Sequence, residues 1–196
     1  MNVESRLIKS AEMNNGMLTM KMLTDKGIHR EHVSLLVDKK KLRRVERGVY
    51  ALPNAVEDMM YATQVRFGRG VYSHLSALYL HDLTDRAPLK HTMTFPLSYN
   101  VGNVEAHGLK THRTKHYGLG QIKAKTPYGN TVTLYDPERT LCDMVRIRRR
   151  TDISLIADAF HAYMKRKERN IRKLKKYAKT LGVAHVVNRY LEVLQR

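Results

Sequence analysis

The stretch Leu42-Arg43-Arg44-Val45-Glu46-Arg47-Gly48-Val49-Tyr50-Ala51-Leu52-Pro53 decides how the first part of the chain folds. Two short β-prone runs flank a Glu-Arg-Gly turn, the pattern of a hairpin. Leu42, Val45, Val49 and Leu52 can rest on a neighbouring element, which leaves Arg43, Arg44 and Arg47 projecting. Pro53 closes the unit. Working upstream, Val3, Leu7, Ile8 and Ala11 recur at helical spacing and predict a helix over residues 3–14, ended by Asn14-Asn15-Gly16. Thr19 caps a second short helix with Met20, Met22 and Leu23, and Gly27 stops it. A third is expected from His29 to Lys40, with Val33, Leu36 and Val37 on one face. Two short helices joined by a tight turn containing glycine make a helix-turn-helix, and the hairpin follows where a wing belongs. Residues 1–55 are therefore expected to form a winged helix-turn-helix that binds double-stranded DNA.

The roles within that unit follow from chemistry. The third helix is the element that would enter the major groove, where base pairs can be told apart. Arg30 is the leading base reader, because its planar fork suits guanine; His29 and Ser34 lie beside it. Lys39, Lys40, Lys41, Arg43, Arg44 and Arg47 are expected to hold phosphates, which positions a protein without reading sequence. Glu31 and Asp38 repel DNA unless they accept from cytosine or orient a basic neighbour, and are not counted as contacts.

Composition agrees with a polyanion as partner. The 196 residues carry 36 Lys and Arg against 18 Asp and Glu, a formal net charge of +18. Such an excess attracts nucleic acid or an anionic membrane surface. No stretch approaches the ~20 apolar residues of a membrane-spanning helix. The first residues lack the order of a secretory signal, and the one cysteine, Cys142, can form neither an internal disulfide nor a multi-cysteine zinc site. The expectation is a cytoplasmic, reduced protein. Charge concentrates at the two ends, most of all in residues 161–196, with eleven basic and two acidic side chains.

Residues 56–196 read as an α+β domain whose last part is a helical bundle. Two helical pieces fill 56–83, the second opened by Ser73. Strands are expected at His91–Leu97, Leu109–Thr114, Ile122–Thr126 and Thr131–Tyr135, the last two around the turn Pro127-Tyr128-Gly129-Asn130. The connector Ser98–Gly108 is expected as a mobile loop. Asp136-Pro137-Glu138 opens a helix with an N-cap, a first-turn proline and a first-turn acid. Asp152 and Asn170 cap two more, and a last helix runs from about Val183 to Leu194.

Several constellations carry competing readings. His107, His112 and His116 are close in sequence but lie among cations, which disfavours a metal; no metal and no cofactor are expected. His74 and His81 read as ordinary helix-face histidines. Asp136, Glu138 and Asp143 could form the carboxylate cluster of a metal-dependent nuclease, but capping accounts for the first two and pairing with Arg139 or Arg146 for the third. Cys142 reads as a buried small residue, and no catalytic residue is assigned. Lys165, Arg166, Lys167 and Arg169, continued by Arg172, Lys173, Lys175, Lys176 and Lys179, form either a solvated helix face or a second basic surface toward nucleic acid.

Three blocks carry a family resemblance: residues 42–53 quoted above, Tyr72-Ser73-His74-Leu75-Ser76-Ala77-Leu78, and Tyr135-Asp136-Pro137-Glu138-Arg139-Thr140-Leu141-Cys142-Asp143-Met144-Val145. In this order they resemble the AbiEi antitoxin family of bacterial abortive-infection systems. The resemblance implies a two-gene toxin–antitoxin system that limits phage spread. It implies a winged helix that represses its own operon by cooperative binding to inverted repeats. It also implies a second domain that counters a nucleotidyltransferase-like toxin without a stable complex. The alternatives are a stand-alone winged-helix transcriptional regulator and a metal-dependent nucleic-acid-processing enzyme.

Overall fold

Helix α1 (Val3–Glu12) begins where the Asn2 side chain accepts from the Ser5 N–H at 2.9 Å, and it buries Leu7 and Ala11. The chain then turns through Asn15 and Gly16, both at positive φ, into a strand that the sequence reading lacked, β1 (Met17–Thr19). Gly16 is obligatory, since a Cβ there would stand 2.3 Å from the Ala55 Cβ. Thr19 ends β1 and caps α2 (Met20–Thr24), its hydroxyl accepting from the Met22 N–H. Helix α3 (Glu31–Asp38) is shorter than the expected 29–40. His29 and Arg30 precede it, and Lys40 takes a left-handed conformation after it (φ 55°). The wing forms as expected from β2 (Arg43–Glu46) and β3 (Val49–Ala51), with a register shift between Arg44 and Glu46. Strand β1 adds to the other edge of β3, giving the order β1-β3-β2.

The computed structural model describes residues 2–194. They form two compact units, one from the chain up to Gly68 together with Lys125–Val132, the other from Arg69–Ala124 and from Thr133 onward. The first unit extends past residue 55 for a physical reason. Helix α4 (Met59–Arg66) places Ala62 in one cluster with Met17, Val49 and Ala51, beside the cluster of Leu7, Leu18, Leu23, Val33, Leu36 and Leu42. Asp58, fully buried, caps α4 by accepting from the Tyr61 N–H (2.9 Å). Its other oxygen accepts from the Thr126 hydroxyl and the Asn130 amide, the latter at 2.8 Å. That carboxylate is what binds the 125–132 turn into this unit.

The second unit is built on a mixed sheet of β4 (Val71–Tyr72), β5 (Thr92–Pro96), β6 (Lys110–Thr114), β7 (Gln121–Lys125) and β8 (Thr131–Tyr135). Its order is β6-β5-β4-β8-β7. Strand β4 runs antiparallel to β5 and parallel to β8, and β5 runs parallel to β6. Helix α5 (His74–Leu80) lies between β4 and β5 in the chain. The connector expected as a mobile loop contains a helix, α6 (Gly102–Ala106), pinned by Val104, which is 1% exposed. The Gly102 N–H also donates to the Asn100 side chain (3.0 Å), and Glu105 accepts from the Thr111 hydroxyl of β6. Helices α7 (Pro137–Arg146), α8 (Ile153–Met164), α9 (Ile171–Thr180) and α10 (Ala184–Leu194) bury Leu141, Val145, Ile156, Phe160, Leu174 and Val187 in one cluster.

At the start of α7 sits Arg139, a guanidinium with no exposure at all. Its Nε donates to Asp143 at 2.9 Å, and its Nη1 to the carbonyls of His116 (2.8 Å) and Leu119 (3.0 Å). The group lies 4.3 Å from the Tyr135 ring centre. Asp136 caps α7 through the Arg139 N–H, and its own N–H donates to the Gly120 carbonyl at 2.7 Å. Gly120 must be glycine: φ is +78°, and a Cβ would lie 2.8 Å from that of Arg139.

The histidines of α5 depart from the expected helix-face role. His74 is buried at φ 52° and stacks on His112 with centroids 3.8 Å apart. His81 ends the helix and is buried, its Nε2 2.7 Å from the Tyr135 carbonyl oxygen. Burial pushes the pKa of both downward. For His74, the neighbouring His112, Arg139 and Arg146 add to the shift, which carries it well below the ordinary value of 6.5.

Two outcomes are expected. Arg139→Met leaves Asp143 buried with only the more distant Arg146 (3.6 Å) and strips the acceptors His116 and Leu119. It should cost about 3–5 kcal/mol, read as a lower urea midpoint; an unchanged midpoint would contradict the hub role. Histidines held neutral by the fold bind fewer protons folded than unfolded, so their stabilisation is complete above about pH 6.5 and is lost as pH falls below it. Unfolding free energy should drop by up to about 1.4 kcal/mol per pH unit for each of His74 and His81. Urea titrations at pH 7 and pH 5.5 test this, and His74→Gln should flatten the dependence.

Candidate nucleic-acid interface

On α3, Val33 and Leu36 point into the core, so the opposite stripe is Glu31, Ser34, Leu35 and Asp38, all exposed. Leu35 is 55% exposed, high for a leucine on a short helix, and the sequence reading missed it because it sits within an apolar run. The helix itself bears no Lys or Arg between Glu31 and Asp38. Cations flank it instead. His29 and Arg30 are exposed at its start, Arg30 in the capping position without a side-chain cap bond, and Lys39, Lys40 and Lys41 are exposed at its end. Lys39 and Lys41 are drawn toward Glu4, at 3.7 Å for Lys39. Lys41, hydrogen-bonded to Glu4, holds that carboxyl below its usual range.

In the wing the three arginines differ. Arg44, across from Tyr50, and Arg47, at the turn, are exposed. Arg43 is half-buried: it pairs with Glu57 and donates to the Ala55 carbonyl. The fold therefore engages Arg43 in closing the wing on the segment after it. Glu46, the wing's acid, is engaged by Arg66 of α4. What projects is Arg44 and Arg47. Arg6, Lys9, Lys21 and Lys26 are further exposed cations of this unit, and nothing in their spacing had marked them.

The second basic tract divides in the same manner. On α9, Leu174 and Ala178 are buried, and Arg172, Lys175, Lys176 and Lys179 form one exposed stripe on the other side. Lys165, Lys167 and Arg169 are also exposed. Lys173 is turned inward, with its Nζ 3.0 Å from Asp136 and 3.2 Å from Glu138. Burial opposes its charge, but the two carboxylates win and raise its pKa. Arg166 donates to the His81 carbonyl. Lys173 thus joins α9 to the start of α7, and Arg166 joins the end of α8 to the end of α5.

The acids weighed as a catalytic cluster are each engaged. Asp136 caps α7 and meets Lys173, Glu138 accepts from the Tyr163 hydroxyl (2.8 Å) and meets Lys173, and Asp143 pairs with Arg139 and Arg146. Among the described residues no group of three or more His, Cys, Asp or Glu side chains is arranged to hold a metal ion, the His107, His112 and His116 set included. Cys142 is fully buried and its thiol is pushed upward by burial. No described helix is long and apolar enough to cross a membrane.

The crystal structure of the RV2827C protein from Mycobacterium tuberculosis has a similar fold, with a TM-score of 0.57 over 89% of this chain and 70% of that one. At 13% identity the likeness concerns the fold alone. No curated protein sequence matches the chain. Residues 5–53, which span α1 to the end of the wing, match the family described as transcriptional regulator, AbiEi antitoxin. That match covers a quarter of the chain, the part whose helices, wing and flanking cations are described above.

Proposed function

We propose that this protein is a cytoplasmic autorepressor and antitoxin, which binds inverted repeats in its own promoter and opposes a nucleotidyltransferase-like toxin. The observation that carries the DNA part is the exposed face of the first unit. A non-basic stripe of Ser34 and Leu35 is bracketed by Arg30 on one side and by Lys39–Lys41 on the other, with Arg44 and Arg47 on the wing. Such a face suits B-DNA: side chains on the helix meet base edges, and the bracketing cations meet phosphates. Arg30 would take a guanine and the Leu35 side chain a thymine methyl, while Ser34 can serve either kind of base. His29 lies beside this reading set; Arg43 acts by fixing the wing.

The second basic surface, Lys165, Lys167, Arg169, Arg172, Lys175, Lys176 and Lys179, is assigned to phosphates as well. The toxin, its nucleotidyltransferase character, the absence of a stable complex, cooperative DNA binding and a role in phage defence rest on the family resemblance.

Mobility-shift titrations with the promoter region separate the roles. Arg30→Ala should relax discrimination at one base position by about 1–3 kcal/mol. Arg44→Glu or Arg47→Glu should weaken all sequences alike. Neutralising Lys175 and Lys176 together should reduce the slope of log affinity against log salt by about 2. Unchanged affinity for all of these would defeat the DNA assignment. Growth rescue on co-expression with the neighbouring gene's product tests the antitoxin part, and lack of rescue would remove it.

A further inference from the structure

Seven residues are nearly two full turns of an α-helix, so Glu31 and Asp38 lie in one line along α3, about 10.5 Å apart. Val33 and Leu36 are buried on the opposite side. That puts the line at the centre of the exposed stripe, with Ser34 to one side of it and Leu35 to the other. A partner that meets this face squarely therefore meets two carboxylates. Neither carboxylate is hydrogen-bonded or ion-paired among the described residues. Lys39 and Lys41, the cations just past Asp38, both turn to Glu4 of α1 instead. The helix dipole favours an acid in the first turn, where Glu31 stands, but it disfavours one in the last turn, where Asp38 stands. Local folding thus gives no reason for Asp38.

We propose that Glu31 and Asp38 make the DNA-binding face selective, each accepting a hydrogen bond from the N4 amine of a cytosine in the major groove. The inference rests on the DNA reading above and names the base that its central residues require. An ionised carboxylate can only accept. In the major groove thymine and guanine offer it acceptors alone, and adenine sets the N7 acceptor beside its amine. Cytosine presents its N4 donor with no acceptor next to it on the same base. Opposite any other base the carboxylate loses water, gains no donor and faces a further acceptor, which leaves it unsatisfied. Phosphates repel both residues on every duplex. The exposed cations around the stripe offset that repulsion: Arg30 before Glu31, Lys39, Lys40 and Lys41 after Asp38, and Arg44 and Arg47 on the wing. Their attraction is indifferent to sequence, and the centre line subtracts from it wherever cytosine is missing. Specificity is a difference of affinities, and a built-in repulsive element is one way to enlarge it.

Fluorescence-anisotropy competition with the full chain tests this, using the promoter-region duplex, the same duplex with each base pair replaced in turn, and an unrelated duplex of equal length. The parent should lose about tenfold in affinity when a cytosine that it reads is replaced by thymine. Glu31→Gln should bring that loss within about twofold at one position, because an amide can donate to the thymine O4, and Asp38→Asn should do so at another. Both variants should also bind the unrelated duplex more tightly than the parent does. Both sites are exposed and the replacements are close in shape, so thermal midpoints should stay near that of the parent. The control Glu12→Gln removes an exposed carboxylate of α1 and should keep the parent's preference at every position. If the parent discriminates bases and both variants keep its preferences throughout, this inference is overturned and the DNA reading stands. It is overturned as well if Glu12→Gln abolishes the preference as fully as they do, and release by one variant alone removes the other residue from it. A parent that binds all duplexes alike, or none, defeats the base-reading role of α3 and this inference together.

Discussion

A guanidinium removed from water is costly to hold, and the second unit is arranged around one. Arg139 must be met by a charge and by several acceptors, or the fold would not tolerate it. Asp143, one turn along the same helix, supplies the charge. The 116–120 loop supplies two carbonyls, and it can come so close only because Gly120 has no side chain. Tyr135, at the end of β8, lends a ring face. The result joins a loop, a strand end and a helix start through one side chain. Lysine could not replace it, because a single ammonium lacks the planar fork that reaches all three partners. The neighbouring residues complete the arrangement: Asp136 caps the helix, Thr140 donates to the Tyr135 carbonyl at 3.2 Å, and Glu138 meets Tyr163 of α8.

The first unit solves a different problem, that of presenting charge without collapsing on itself. Its α3 stripe carries two carboxylates, Glu31 and Asp38, and no Lys or Arg, while the basic groups sit at the helix ends and on the wing. Separating them divides the labour. Cations at the rim add attraction and orientation for a polyanion, and a helix face without cations does not bind every duplex equally. Two intramolecular pairs restrain the rim. Glu4 holds Lys39 and Lys41 near α1, and Glu57 takes Arg43 out of the projecting set.

How much of this could be read from the sequence depended on the length of each element. Helix α7 was legible because Asp136-Pro137-Glu138 is a start signal of three agreeing residues. The wing was legible because apolar residues alternate with arginines around Gly48. The α9 stripe followed from spacing. Strand β1 has three residues, β4 two and α6 five, and no periodicity can be seen over such lengths. The inclusion of 125–132 in the first unit depended on Asp58, one carboxylate 68 and 72 residues from its partners Thr126 and Asn130. For the candidate interface, charge identified the cations but not which were engaged: Arg43, Arg166 and Lys173 look no different in sequence from Arg44, Lys167 and Lys175. Leu35 was hidden by its apolar neighbours.

The same difficulty applies to Arg139 itself, which the sequence shows only as a basic residue three places after a cap. Its burial also bears on why it is there. Replacing a buried ion pair by apolar side chains of similar volume is often neutral or stabilising, so stability alone is a weak reason to retain one. Fixing a unique arrangement of loop, strand and helix is a stronger reason, but it would be served best by a guanidinium with every nitrogen satisfied. Here Nη2 has no hydrogen-bond partner among the described residues. Tying the fold together accounts for Nε and Nη1: their three bonds, to Asp143, His116 and Leu119, join helix and loop, and an apolar side chain of the same volume could make none of them.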